Sequence, residues 1–389
     1  MKNFKVAIFT DAYRPKIDGV SISCENIARE LDSLGINFNL YAPETPGEYT
    51  DPDYVKRFSS VPIAFQPELR FSFPVDRKIL TYLIKHKYDV IHSNSPGSLG
   101  FVALEVAKLR NIPHFHTFHT FLPDYTHYIF GGKILTPQMV TKLMVMWCNW
   151  MDYLIAPSVK IRDWMSMVGI KKEVRIIPSG INIARFDLPV QTNFFVERGY
   201  CDIDDFKLLF VGRFGKEKAI DTLIQYFGEI PGVRGSKIKL LIVGDGPPKK
   251  DLEQLTQNLD LSKNVIFTGY CVPSDIYKVY KSADIFTLLS TTETQGMVVT
   301  EAIASGLPVL LANDQAYVDM ISNEVNGFSI DSKSDFIEKV LLLSKNKALV
   351  SKMGEQSRRM STDFDINRTT RLLLEYYQHG ITYWDKKRT

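Results

Sequence analysis

The strongest constraint on this chain is a rhythm: short apolar runs alternate with helix-patterned segments, and the alternation stops and then restarts midway. In the first half "KVAIFT", "FNLYAP", "DVIHSNS", "PHFHTFHT" and "YLIAPS" read as strands. Between them "SISCENIARELDSLG", "DRKILTYLIKHK" and "SLGFVALEVAKLRN" read as helices, as does "VKIRDWMSMVG" after the last. The strands are continuously apolar, as expected where helices cover both faces of a parallel sheet. The irregular, proline-containing "RIIPSGINIARFDLPVQTNF" interrupts the pattern and suits a linker. Beyond it "KLLFVGR", "IKLLIVGDGP", "NVIFTGY", "DIFTLLS" and "LPVLLA" resume as strands, interleaved with new helical segments. The expectation is an α/β chain of two similar domains facing across a cleft, residues 1–187 and 188–365, with the amphipathic helix 366–389 joining the first. Ligands in such sheets bind at the carboxyl ends of the strands.

Bulk properties agree with two cores. The 389 residues exceed what one ordinary core holds, and 45% hydrophobic with 23% charged residues is a soluble globular balance. A net charge of +3 is too small to argue for nucleic acid as a partner. Cys24, Cys148, Cys201 and Cys271 are scattered, which fits neither a zinc framework nor a disulfide scaffold and suits a reducing cytoplasm. The opening "MKNFKVAIFTDAY" is broken by Asp11 and lacks the pattern of a signal peptide. The longest apolar stretch, "ILTPQMVTKLMVMWCNWMDYLI", is interrupted by Pro137, Lys142, Asn149 and Asp152, so any membrane contact is peripheral.

Several residues at expected strand ends carry chemistry. Arg213 and Lys218 follow "LLFVG" in one strand-to-helix loop, where two cations beside a helix N-terminus suit a diphosphate and would neutralise it on departure. Either one could equally be an ordinary surface cation. Glu293 and Glu301 flank Gly296 in "TTETQGMVVTEAI", and three readings stand: a catalytic dyad, a metal site, or two separate hooks for hydroxyl groups. Gly244 and Gly246 suggest a dinucleotide fingerprint, but its third position is Lys249, which disfavours an oxidoreductase. Gly19 lies in a polar loop before a helix, where a bare amide can approach a phosphate. His114 and His116 alternate along a strand and so share a face, with His119 at its edge; without acidic or cysteine partners a metal site is not expected. His119 suits a bond to a substrate hydroxyl. Arg77, Lys78, Lys85 and Lys87, mixed with Ile79, Leu80, Tyr82, Leu83 and Ile84, form a basic amphipathic helix that suits either an anionic lipid surface or ordinary packing on the sheet. The aromatic "FLPDYTHYIFGG" and the Met/Trp-rich stretch from Met139 to Met151 fit lipid contact or core.

Taken together, "FTDAYRPKIDGVS", "VGRFGKEK", "VGDGP" and "ETQGMVVTEAIASGLPV" resemble the retaining family-4 glycosyltransferases of the GT-B fold, in order and over nearly the whole chain. "FHTFLPDYTHYI" and "RFSSVPIAFQPELRFSFP" further resemble the bacterial diacylglycerol α-glucosyltransferases. The resemblance implies transfer of a hexose, glucose first, from a UDP-sugar to 1,2-diacylglycerol by a cytoplasmic enzyme on the inner face of an anionic membrane, without metal or other cofactor. It implies that Arg213 and Lys218 hold the diphosphate with help from the Gly19 amide and the Gly246 loop. Glu301 takes the ribose, and Glu293 takes the sugar together with the backbone at Gln295, Gly296, Met297 and Val298. His119 lies near the sugar 6-hydroxyl, and Asp11 on the acceptor side. Gln295 stands where several members carry an aromatic, which bears on the sugar accepted. Galactose or mannose as sugar, and phosphatidylinositol, another glycolipid or a soluble sugar as acceptor, are the alternatives. A GT-B epimerase and a membrane-bound sugar-binding protein without catalysis are the more distant ones; the oligomeric state is open.

Overall fold

A computed structural model describes residues 4–47, 49–63, 66–73, 77–122 and 136–388. Most of "FLPDYTHYIFGG" and the side chain of Lys78 lie outside the described residues. The chain divides into two compact units, residues 1–180 with 366–389, and residues 181–365.

The first unit is built on seven parallel strands: β1 (Lys5–Phe9), β2 (Asn37–Pro43), β3 (Val55–Phe58), β6 (Val90–Ser93), β7 (His114–Thr117), β8 (Tyr153–Ala156) and β9 (Glu173–Ile176). Their order is β3-β2-β1-β6-β7-β8-β9, and an antiparallel ribbon of β4 (Ser60–Ile63) and β5 (Gln66–Ser72) sits apart. Side chains of β1 alternate between two cores. Val6 and Ile8 pack with α1 (Gly19–Ser33) and the C-terminal helix Ile366–Arg388, whereas Ala7 and Phe9 pack with α2 (Arg77–Lys85) and α3 (Ser98–Arg110). Helices α4 (Pro137–Trp150) and α5 (Val159–Met167) close a third cluster over β8. Tyr376 and Tyr377 of the C-terminal helix meet Phe115 edge-on at 5.1 and 5.0 Å. A Cβ on Gly380 would lie 2.4 Å from the same ring, so only glycine permits this approach.

The second unit holds six parallel strands in the order β12-β11-β10-β13-β14-β15. They are β10 (Phe206–Val211), β11 (Ile238–Val243), β12 (Val265–Gly269), β13 (Ile285–Leu288), β14 (Val309–Ala312) and β15 (Gly327–Ile330). Helices α6 (Phe194–Glu197), α7 (Ile220–Gly228), α8 (Lys249–Asn258), α9 (Ile276–Lys281), α10 (Met297–Ala304), α11 (Lys333–Lys345) and α12 (Lys347–Met360) complete it. In each sheet the winding direction reverses once, between β1 and β6 and between β10 and β13. Those are the topological switch points, the places at which open α/β sheets in general bind ligands.

The boundary falls at Gly180, not at 187. Ile181, Phe186, Phe194 and Phe195 are buried in the second core, so most of the expected linker is part of that unit. Gly180 is itself pressed against the C-terminal helix, where an added Cβ would sit 2.1 Å from Thr369 Oγ1.

Candidate active site

At the second switch point two loops are bound to each other. The β10 strand ends at Val211, and Arg213 follows it on the exposed surface of the loop. A short 3-10 turn, Lys216–Lys218, then leads through Ala219, whose φ of +52° turns the chain into α7. From the neighbouring strand end, Ser290 Oγ donates to the Glu217 carbonyl at 2.8 Å and Thr292 Oγ1 donates to it at 3.2 Å. Tyr317 secures Ser290 from behind, its hydroxyl donating to the Ser290 carbonyl at 2.8 Å. Held this way, Lys218 Nζ forms an ion pair with Glu293 Oε1. The two charges sit together although 75 residues separate them.

The start of α10 is as tightly specified. Gly296 caps it with φ +84°, a conformation in the left-handed region, and a Cβ there would lie 3.2 Å from the Tyr317 ring. Met297 and Val298 supply the first amides of the helix, which by geometry have no intrahelical acceptor. Gln295 is buried. Glu301, in the second turn, accepts from the Tyr280 hydroxyl at 2.8 Å. Burial raises its carboxyl above the usual range, partly offset by the Tyr280 hydrogen bond and the charge of Arg185. Glu293 and Glu301 thus have different partners and do not form an acid pair with each other. The "GDG" glycines serve packing: added Cβ atoms on Gly244 and Gly246 would lie 1.9 Å from the Gly212 carbonyl oxygen and 2.2 Å from that of Phe214. Their role is to let the β11 loop lie against the loop that carries Arg213.

The first switch point is organised differently. Asp11, just beyond β1, accepts from Ser95 Oγ at 2.6 Å, Ser98 Oγ at 2.7 Å and the Leu99 amide at 2.9 Å. Its carboxylate caps α3, whose own N-cap is Gly97 and offers no side chain. Gly97 leaves room for that carboxylate: a Cβ there would fall 2.6 Å from Asp11 Oδ2 and push it away. Desolvation raises the Asp11 pKa despite these hydrogen bonds. Gly19 opens α1 next to the capping box formed by Asp18 and Ser21, and the space where its Cβ would stand is open to 4 Å.

The histidines form a buried, neutral layer. The Trp147 indole N–H can only donate, and it bonds His116 Nε2 at 3.2 Å. His116 therefore carries its proton on Nδ1, which donates to Ser93 Oγ at 2.8 Å, and Ser93 in turn donates to His114 Nε2 at 2.8 Å. Both rings do share a face. His119 lies 2.9 Å from Asn94 Oδ1 through Nε2, while the Asn94 amide nitrogen faces the Phe9 carbonyl; the proton of His119 is then on Nε2. Burial lowers the pKa of His92 and His114 to about 3 and that of His119 to about 4. Among the described residues no group of three or more His, Cys, Asp or Glu side chains is arranged to hold a metal ion. On α2 and just beyond it, Arg77, Lys85 and Lys87 are exposed.

Sequence reasoning missed the supporting residues. Ser290, Thr292, Tyr317 and Tyr280 support the loops and acids of the second unit, and Ser93 and Asn94 fix the histidines of the first. For Ser93, Asn94, Ser290 and Thr292 the sequence signal is a hydroxyl or amide residue at or near the end of an apolar strand, and the two tyrosines give none. Arg57 was missed as well: its guanidinium bonds Asp51 through Nε and Nη2 at 2.8 Å each, the Pro43 carbonyl at 2.7 Å and the Arg14 carbonyl at 2.9 Å. It thereby fixes the β1–α1 loop that carries Asp11.

Comparison with known proteins agrees with this arrangement. Residues 201–360 match the model of Glycosyl transferases group 1, and residues 17–185 that of Glycosyltransferase Family 4. An alpha-monoglucosyldiacylglycerol synthase of Streptococcus pneumoniae is 34% identical over 329 residues, 83% of this chain and 74% of that protein. The enzyme of the same name from Acholeplasma laidlawii is 28% identical, with 91% of both chains covered. A GDP-mannose-dependent alpha-mannosyltransferase of Mycobacterium tuberculosis is 27% identical over 84% of each. Among solved structures, sucrose-phosphate synthase of Thermosynechococcus elongatus superposes with a TM-score of 0.80 at 19% identity, covering 97% of this chain and 98% of that one. Anabaena HepE in complex with UDP-glucose superposes with a TM-score of 0.76 at 18% identity, covering 97% and 100%. The chain belongs to the family-4 glycosyltransferases of the GT-B fold, and it is a hexosyltransferase.

Proposed function

We propose that this hexosyltransferase moves glucose from UDP-glucose to the free hydroxyl of a 1,2-diacylglycerol, with retention, without a metal ion, at the surface of an anionic membrane. The observation that carries the reading is the Lys218–Glu293 pair at the switch point of the second sheet, beside Arg213 and the first turn of α10. That arrangement offers a cationic cradle for a diphosphate and a carboxylate for sugar hydroxyls from two adjoining loops. When a nucleotide sugar enters, Lys218 exchanges Glu293 for phosphate oxygens, and Glu293 turns to the sugar. Glu301, steadied by Tyr280, takes the ribose hydroxyls.

Glu293 is engaged by Lys218 and Glu301 by Tyr280, so neither carboxylate is arranged as the partner of the other in a double displacement, which needs two carboxyls about 5 Å apart across the anomeric carbon. The acceptor hydroxyl attacks the anomeric carbon on the face from which the diphosphate leaves. The C–O bond to phosphate breaks as the new glycosidic bond forms, and the proton passes from the attacking hydroxyl to the departing phosphate oxygen. Arg213 and Lys218 stabilise the charge that develops there.

The relatives named for monoglucosyldiacylglycerol synthesis support glucose and diacylglycerol; the mannosyltransferase relative favours a second reading with GDP-mannose. The test is incubation with UDP- and GDP-sugars and vesicles containing diacylglycerol, with products read by mass spectrometry and NMR. The expected product is an α-glucosyl diacylglycerol formed at a rate insensitive to EDTA. A β-anomeric product, or turnover of GDP-mannose alone, overturns the reading.

A further inference from the structure

Helix α4 is apolar on both sides. Its inner face, Val140, Met144, Trp147 and Cys148, is buried in the core of the first unit. Its outer face carries Met139, Leu143, Met146 and Trp150, spaced so that they align in one stripe. Phe101 of α3 widens the stripe, its ring 4.9 Å from that of Trp147 and 6.4 Å from that of Trp150. These five outward residues are between 41% and 50% exposed. One exposed leucine needs no explanation; a contiguous set of this size marks a surface made for a partner.

The surroundings identify the partner. Helices α2, α3 and α4 are consecutive neighbours on the sheet. Arg110 Nη2 donates to the Leu83 carbonyl at 3.2 Å and so ties α3 to α2, while the Lys108 ammonium lies 5.8 Å from the centre of the Trp150 ring and links α3 to α4. These helices carry Arg77, Lys78, Lys85, Lys108, Arg110 and Lys142; α2 and α4 contain no acid, and α3 contains Glu105. An apolar stripe bordered by cations and an aromatic at its edge is the pattern of a helix lying in a lipid interface. A second copy docking through the same face would set those cations against their own images across a two-fold axis.

We infer that the outer face of α4, with Phe101, seats in the headgroup–acyl boundary of an anionic bilayer, an inference that rests on the lipid acceptor proposed above. The Trp147 bond to His116 joins α4 rigidly to β7, so the seated helix carries the carboxyl end of that strand to a fixed depth.

The experiment is sedimentation of the full chain with vesicles of phosphatidylglycerol and phosphatidylcholine, comparing the parent with Leu143→Glu/Met146→Glu. Both sites are exposed, so the fold is expected to survive; thermal unfolding checks this, and Leu143→Ser/Met146→Ser serves as a milder pair. Vesicle affinity is expected to fall about tenfold or more, since two large apolar side chains leave the interface. Transfer to a short-chain diacylglycerol in detergent is expected to persist. Unchanged vesicle affinity in a folded double variant overturns the inference. So does a dimeric parent that the variant dissociates in light scattering, which would make the stripe a self-contact. Vesicle binding needs no sugar donor: a parent that binds through α4 but glucosylates no diacylglycerol sinks the acceptor reading and leaves this one standing.

Discussion

At the strand ends of the second unit, charged side chains hold one another across two loops; at those of the first, a carboxylate holds the start of a helix. Lys218 and Glu293 form an ion pair across two loops, so a ligand that offers phosphate to one and hydroxyls to the other can replace the contact without disturbing a helix. Asp11, by contrast, places both carboxylate oxygens on the Ser95 and Ser98 hydroxyls and the Leu99 amide. Withdrawing it would uncap α3. The same fold, wound around the same kind of switch point, therefore pairs charge between two loops in one unit and commits it to a helix cap in the other. Substitutions in the second unit should appear first in turnover, and those in the first unit in stability.

The largest effect should come from Arg213→Ala. On the proposed mechanism this removes one cation from the departing diphosphate, and kcat is expected to fall about 10²- to 10³-fold. Arg213 is exposed, so the melting temperature should hardly move. Steady-state kinetics with the donor that the sugar panel identifies checks the first, and calorimetry the second. A large loss of stability with kcat preserved would reverse the comparison at this residue. Gly244→Ala comes next and marks where the second unit does depend on packing. Its φ is +141° and the new methyl would lie 1.9 Å from the Gly212 carbonyl oxygen. A backbone shift of that kind should cost about 3 kcal/mol, measured by denaturant unfolding.

How much of this was legible in the sequence follows the same division. Strand and helix order was readable because parallel strands covered on both faces are plain apolar runs, as in "KLLFV" and "IKLLIV". Arg213 and Lys218 stood out as cations soon after an apolar strand, and Glu293 and Glu301 as acids flanking Gly296; the pairing of Lys218 with Glu293 was not legible, because it joins residues 75 apart. β15 was not, because it begins with Gly327, which reads as a breaker; yet a Cβ there would lie 2.0 Å from the Val309 carbonyl oxygen, so the strand can pair only with glycine. β4 was hidden by Pro62, tolerable in a two-stranded ribbon. The domain boundary was misplaced because a proline-containing, irregular stretch looks like a linker even when Phe186 and Phe194 anchor it in a core. The capping role of Asp11 joins residues 84 to 88 apart, which no local pattern reports.

The histidine layer gives a pH signature that belongs to the first unit alone. Burial lowers the folded pKa values of His92 and His114 to about 3 and of His119 to about 4 from an ordinary 6.5, and lowers that of His116 as well. Above that ordinary value both folded and unfolded states are neutral and pH has no leverage through these groups. As pH falls below it the unfolded chain takes up protons that the folded chain refuses, so stability declines. The slope should approach about 1.4 kcal/mol per pH unit for each of the four histidines. Asp11 and Glu301, whose carboxyls are raised by burial, act in the opposite sense at lower pH, so the decline should be cleanest between about pH 6.5 and 5. Denaturant midpoints across that range test it. His92→Gln should flatten the curve, whereas Glu301→Gln should leave its upper part as it is.

The smallest effect is the one that most sharpens the comparison. In Asp11→Asn the remaining oxygen can still accept from the Leu99 amide and the Ser98 hydroxyl, while the new NH2 meets the Ser95 hydroxyl, which must turn to accept from it. A cap is weakened rather than removed, and the expected loss is about 1 kcal/mol of stability, visible as a lower melting temperature. Were kcat to fall tenfold or more with no change in melting, Asp11 would act on the reaction and stand with Arg213. The difference between the units would then lie in how their charges are supported, since Asp11 would serve catalysis while also capping a helix. A stability loss of the expected size places it instead with Gly97, whose bare backbone is what allows the carboxylate to reach α3 at all.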